Sequence, residues 1–99
     1  MDIDCSHNEI EVIPNLSMHR FLRILNLSNN KIRTIEGIQN NKYLENLKLS
    51  NNKIEHIENI DGMSLIELDL FGNEINSLDG LTRVPKLRKL EISQNLIKR

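Results

Sequence analysis

The sequence has no tryptophan, no alanine, one cysteine, one tyrosine and two phenylalanines. Alanine is the best helix former, and ordinary helical domains seldom do without it, so a helix bundle is a poor reading. The single Cys5 excludes an internal disulfide and fits a reducing compartment. Positive charge is not in excess: 13 Lys and Arg stand against 14 Asp and Glu, a net charge of −1. A nucleic-acid surface usually needs a concentrated basic stripe, and none is present. The start, Met1-Asp2-Ile3-Asp4-Cys5, has neither the basic residues nor the apolar run of a signal peptide. No apolar stretch approaches the roughly 20 residues of a membrane-spanning helix. Without a secretory signal, the glycosylation sequons Asn15-Leu16-Ser17 and Asn26-Leu27-Ser28 read as chance matches.

What the chain does have is aliphatic and periodic. It holds 15 Leu, 14 Ile and 14 Asn, and Asn favours turns over helix interiors. Leu22-Arg23-Ile24-Leu25-Asn26-Leu27-Ser28-Asn29-Asn30-Lys31-Ile32 lies over Leu44-Glu45-Asn46-Leu47-Lys48-Leu49-Ser50-Asn51-Asn52-Lys53-Ile54. The pattern returns from Leu65 to Ile75 and from Leu87 to Ile97, and Ile3, Cys5, Asn8 and Ile10 keep part of an earlier copy. Asn8, Asn30, Asn52, Asn73 and Asn95 form one series at near-constant spacing. Apolar residues at every third position follow: Ile32, Ile35, Ile38; Ile54, Ile57, Ile60; Ile75, Leu78, Leu81. That spacing suits a short turn of 3₁₀ type, in which side chains three apart eclipse.

The pattern L-x-x-L-x-L-x-x-N-x-I resembles the leucine-rich-repeat family, and its second half is similar to the 22-residue subclass of the protein phosphatase 1 regulatory subunit type. The resemblance implies an α/β solenoid. It would be a right-handed superhelix with short parallel strands on a concave face and 3₁₀ or irregular turns on a convex one. We read residues 1–99 as one domain of about four and a half repeats, 1–21, 22–43, 44–64, 65–86 and 87–99. Solenoids usually carry polar end caps. None is evident, so a segment of a longer protein, or ends that pair with another chain, is expected.

Alternation places the outer leucines of Leu47-Lys48-Leu49 inward and Asn46, Lys48 and Ser50 outward. The series Asn8, Asn30, Asn52, Asn73 and Asn95 is expected to form a structural ladder, since a buried amide can both donate to and accept from neighbouring loops. Met63 and Val84 hold an apolar slot where the first two repeats have His19 and Asn41. Phe21 and Tyr43, two residues later, are therefore expected to fill the missing core volume.

The titratable residues do not converge. His7, His19 and His56 occupy different repeat positions, and Cys5 takes a Leu position and should point inward. No metal-ligand cluster, phosphate-cradling Gly loop or Ser-centred motif is present, which speaks against an enzyme, a metal or a cofactor. Function is instead expected on the outward strand residues. One column reads Asp2, Ile24, Asn46, Glu67, Lys89; the next Asp4, Asn26, Lys48, Asp69, Glu91; the third Ser6, Ser28, Ser50, Phe71, Ser93. Phe71, Ile24 and Ile66 would make an apolar spot framed by Arg23, Glu45, Lys48, Glu67 and Asp69, with Asn26, Asn46, Lys89 and Glu91 completing the face. Apolar anchors inside polar rims are how binding hot spots are built. The expectation is a cytoplasmic protein-binding module, or a nuclear, ciliary or cytoskeletal one. It would serve a scaffold or regulatory subunit and take a partner segment with basic and apolar residues, without nucleic acid or membrane. The alternative is a structural or self-associating segment of a larger scaffold.

Overall fold

A computed structural model describes residues 1–98 as a slab of 39 × 31 × 18 Å. Five three-residue strands, β1 (Asp2–Asp4), β2 (Ile24–Asn26), β3 (Asn46–Lys48), β4 (Glu67–Asp69) and β5 (Lys89–Glu91), form one parallel sheet in chain order. The register is unbroken: Ile3 lies beside Leu25, Leu25 beside Leu47, Leu47 beside Leu68 and Leu68 beside Leu90. These central residues face inward, which alternation demands of the middle position in a three-residue strand. Backbone bonding then runs past the strand ends, with Leu27 N–H donating to Lys48 C=O and Asn29 N–H to Ser50 C=O, both at 2.8 Å. The molecule is thus a parallel β-solenoid of about four turns.

Behind the sheet lies a core of Leu and Ile. Leu22, Leu25 and Leu27, with their counterparts one repeat on, are fully buried, as are Ile32, Ile35, Ile54 and Ile60. Leu78 departs from its expected core position and is 47% exposed. It lies in the last crossover of the described chain, and no further layer stacks on it.

The crossovers are not helical. Among the described residues there is neither α-helix nor 3₁₀-helix, and the crossovers consist of turns and irregular chain. The cause is local. The crossovers make separate i to i+3 bonds and no continuous run of them, as from Asn41 N–H to Ile38 C=O or Met63 N–H to Ile60 C=O. A residue in the left-handed region then precedes Ile38, Ile60 and Leu81: Gly37, Asn59 and Gly80, with φ of 75°, 61° and 99°. A run of right-handed turns cannot propagate through such a residue. At Gly80 a side chain would also meet the Ile57 carbonyl, so glycine is required there twice over.

A second left-handed column sits just before the asparagine series. His7, Asn29, Asn51, Gly72 and Gln94 all have φ between 55° and 70°. Asn and Gly tolerate this conformation best among ordinary residues. The doublets Asn29-Asn30 and Asn51-Asn52 therefore do two jobs, the first residue turning the chain and the second filling the corner.

The corner is filled by hydrogen bonds. Asn52 Nδ2 donates to Leu49 C=O at 3.0 Å and to Leu27 C=O of the preceding repeat at 3.0 Å, while its Oδ1 accepts from Ile32 N–H at 3.0 Å. Asn30 and Asn73 repeat the arrangement. These three are buried. Asn95 makes the same bonds half-exposed, and Asn8 makes only local bonds to Cys5 and Ser6 C=O from the surface.

The slot shared by Met63 and Val84 has a different occupant from the one expected. Asn41 itself fills it at 1% exposure, and its Nδ2 donates to Leu16 C=O at 3.0 Å and His19 C=O at 3.3 Å. Phe21 and Tyr43 are not core residues: they are 70% and 58% exposed. Each is the third residue of a turn closed by its neighbours, Leu22 N–H on His19 C=O and Leu44 N–H on Asn41 C=O, both at 3.1 Å. Side chains at such turn corners project from the slab.

Replacing Asn52 with Ala should destabilise the fold by about 1–3 kcal/mol, because three buried partners lose their bonds. Asn8→Ala, at an exposed position, should change it by less than about 0.5 kcal/mol. Urea unfolding of the two variants measures the difference, and equal midpoints would contradict it.

Candidate functional site

The outward strand residues align across the sheet. Register places Asp2, Ile24, Asn46, Glu67 and Lys89 in one row and Asp4, Asn26, Lys48, Asp69 and Glu91 in the next. Over β3 to β5 these rows line a shallow depression of about 300 Å³, whose walls include Asn46, Lys48, Glu67, Asp69, Lys89 and Glu91. Glu67, Asp69 and Glu91 outnumber Lys48 and Lys89, so the depression is polar with a small acidic excess. Within it Asn46 Nδ2 donates to Glu67 Oε2 at 3.2 Å.

The second row also has a structural task. Asp4, Asn26, Asp69 and Glu91 each accept the backbone N–H two residues on, from Ser6, Ser28, Phe71 and Ser93, at 2.9 to 3.1 Å. These side-chain bonds satisfy a backbone N–H where the chain turns out of the strand. Lys48 holds the same register position without such a bond. The turn therefore forms with a cation there.

The residues expected to frame the face are divided by the structure. Arg23 and Glu45 lie at the strand entrance, paired at 3.4 Å. Ile24 and Ile66 are half-buried, and Phe71 is 37% exposed at the strand exit. Ile66 and Phe71 are five residues apart on nearly extended chain, about 16 Å, with Glu67 and Asp69 between them. The three do not assemble into one apolar spot, and the depression between them is lined by charge. Ser28, in the third column, is buried.

Elsewhere, Cys5 packs against the core while His7 is exposed. Among the described residues no group of three or more His, Cys, Asp or Glu side chains is placed to hold a metal ion. The exposed pair Phe21 and Tyr43 is a surface feature that the repeat pattern did not mark. Their ring centroids are 5.5 Å apart with planes tilted by 32°. The signal was present in the slot two residues earlier: an amide can occupy a core position if carbonyls meet it.

Two carboxyls on the face are perturbed. The Ser6 hydroxyl and then its N–H hold the Asp4 carboxyl below its ordinary value, and Ser93 acts likewise on Glu91. A depressed folded-state pKa means stability that is present at neutral pH and lost as pH falls through that value. Asp4 is exposed and Glu91 only half-buried, so the contribution is small. NMR titration should find the Asp4 carboxyl below the ordinary aspartate range and Ser6→Ala should raise it; a value unmoved by the substitution would contradict the assignment.

Residues 2–40 match the family model for leucine rich repeats (2 copies). No curated protein matches the chain. The matched segment contains β1, β2, Asn8 and Asn30, and the same register and the same asparagine bonds continue through β5. Over residues 2–40 the chain is therefore similar to leucine rich repeats, and the geometry of that segment extends beyond the match.

Proposed function

We propose that this chain is a protein-recognition module. It grips a segment of another protein on the concave sheet of a right-handed stack and performs no catalysis. One observation carries the reading. Five short strands present two rows of outward side chains in continuous register, and over β3 to β5 these rows enclose a depression of a size that side chains can enter. Leucine-rich-repeat solenoids generally mediate protein–protein interaction, which agrees with it. The acidic excess of Glu67, Asp69 and Glu91 favours a partner segment carrying Lys or Arg. Such charge guides encounter and orientation more than it sets affinity. We assign the finer class to the protein phosphatase 1 regulatory subunit type and the setting to the cytoplasm, with nuclear or ciliary and cytoskeletal scaffolds as alternatives.

The second reading is self-association. β1 and β5 are the outer strands of the sheet, and unpaired strand edges are templates for another chain. Sedimentation over a range of concentrations separates the two: mass that rises with concentration and falls in Ile3→Lys supports self-association, while a constant monomer mass removes it.

The recognition reading is tested by affinity capture from a native extract. Asp69→Lys should lose the captured partner while melting close to wild type, because the turn at Lys48 already forms with a cation at that position. Loss of about tenfold or more in partner affinity is expected if Asp69 lies within the contact. Undiminished capture by both Asp69→Lys and Glu67→Lys would exclude the sheet face.

A further inference from the structure

The edge of the slab at which the chain enters each strand carries a surface unlike the sheet face. Phe21 and Tyr43 occupy the same corner in successive repeats, and their rings stand together with most of their area in solvent. Two hollows flank the pair. One, of about 400 Å³, is bounded by Arg20 and Lys42; the other, of about 430 Å³, by Arg23, Lys42, Glu45 and Lys86. Four cations thus surround the rings against one carboxylate. That carboxylate is already taken, since Glu45 pairs with Arg23. Arg20, Lys42 and Lys86 have no ion-pair partner among the described residues.

The mount is rigid. Asn41 begins the turn that carries Tyr43, and its buried Nδ2 holds His19 C=O, the start of the turn that carries Phe21. One side chain therefore ties the two corners together. The rings are prearranged, so little ordering is lost when something covers them.

We propose that the Phe21–Tyr43 edge is a second protein-docking surface, which takes a segment of a partner protein bearing an apolar side chain between Asp or Glu residues. The apolar side chain packs on the ring pair, and the flanking carboxylates meet Arg20, Lys42 and Lys86. Aromatic residues and Arg are the side chains that most often dominate binding energy when water is excluded around them. The charge on this edge is opposite to the acidic excess over β3 to β5, so the two surfaces select different segments, and the edge does not depend on the reading of the sheet face. A nucleic acid strand could also stack on aromatic rings beside cations. Three free cations on a chain of net charge −1 are few for a phosphate backbone.

The test uses the full chain and a displayed library of random peptides. Enriched peptides should carry an apolar residue flanked by Asp or Glu. Their affinity should fall at least about tenfold in Phe21→Ser and again in Lys42→Glu, weaken as salt rises, and remain unchanged in Asp69→Lys. Tyr43 is the sole tyrosine and tryptophan is absent, so peptides lacking both residues can be followed directly through Tyr43 fluorescence. Circular dichroism melting of Phe21→Ser should match wild type, because the side chain lies outside the core. No enrichment, enrichment without acidic residues, or equal binding by Phe21→Ser and wild type would overturn the proposal. So would a single-stranded oligonucleotide whose binding depends on Phe21 and Lys42 while no peptide's does. Loss of peptide binding in Asp69→Lys but not in Phe21→Ser would assign the peptides to the sheet face and leave this edge without a ligand.

Discussion

The buried amide at the corner of each repeat is the interaction on which the rest depends. Where the chain leaves the sheet it turns through a left-handed residue, and several backbone groups lose their strand partners. Water does not reach the inner ones, and an orphaned buried group costs on the order of a hydrogen bond. A carboxylate could accept but not donate, and a leucine could do neither. An amide does both, so Asn30, Asn52 and Asn73 each satisfy carbonyls in two repeats and an N–H in the earlier one. The spacing of these residues sets the length of the repeat, and the length of the repeat sets the register of the sheet.

Such bonds make each repeat incomplete without its neighbour. The inward leucines have the same property, since each row is covered by the rows on either side. Stability therefore accumulates along the stack rather than within a unit. The outward positions are released from this duty, and there the repeats differ most: Ile24, Asn46, Glu67 and Lys89 share one register position with four different chemistries. A regular interior thus holds a variable exterior in fixed geometry, the arrangement a recognition surface needs.

The strands, their order and the asparagine corners were legible because each rests on a period, and period survives substitution. Inward Leu25, Leu47 and Leu68 follow from alternation alone. The outcome was different where an assignment rested on composition instead of spacing. Phe21 and Tyr43 are aromatic and were expected inside, but the turns closed by His19 and Asn41 carry them outward. Asn41 is polar and was expected to leave a gap, yet carbonyls of the preceding repeat receive it. The spacing of Ile32, Ile35 and Ile38 suggested a short turn of 3₁₀ type, and Gly37 in the left-handed region keeps such a turn from lengthening into a helix. On the sheet face the rows of residues were legible, whereas the apolar spot was not formed. Ile66 and Phe71 flank opposite ends of β4 and Ile24 lies on β2, a separation that columns of letters do not convey.

The central claim is that the corner amides are locked in the interior by bonds to two repeats. Hydrogen exchange of the asparagine side-chain amides, followed by NMR at neutral pH, tests it most directly. The Nδ2 hydrogens of Asn30, Asn52 and Asn73 should be protected to nearly the extent of the core backbone, while those of Asn8 exchange as in an unstructured peptide. Exchange of all five at the unprotected rate would contradict the account.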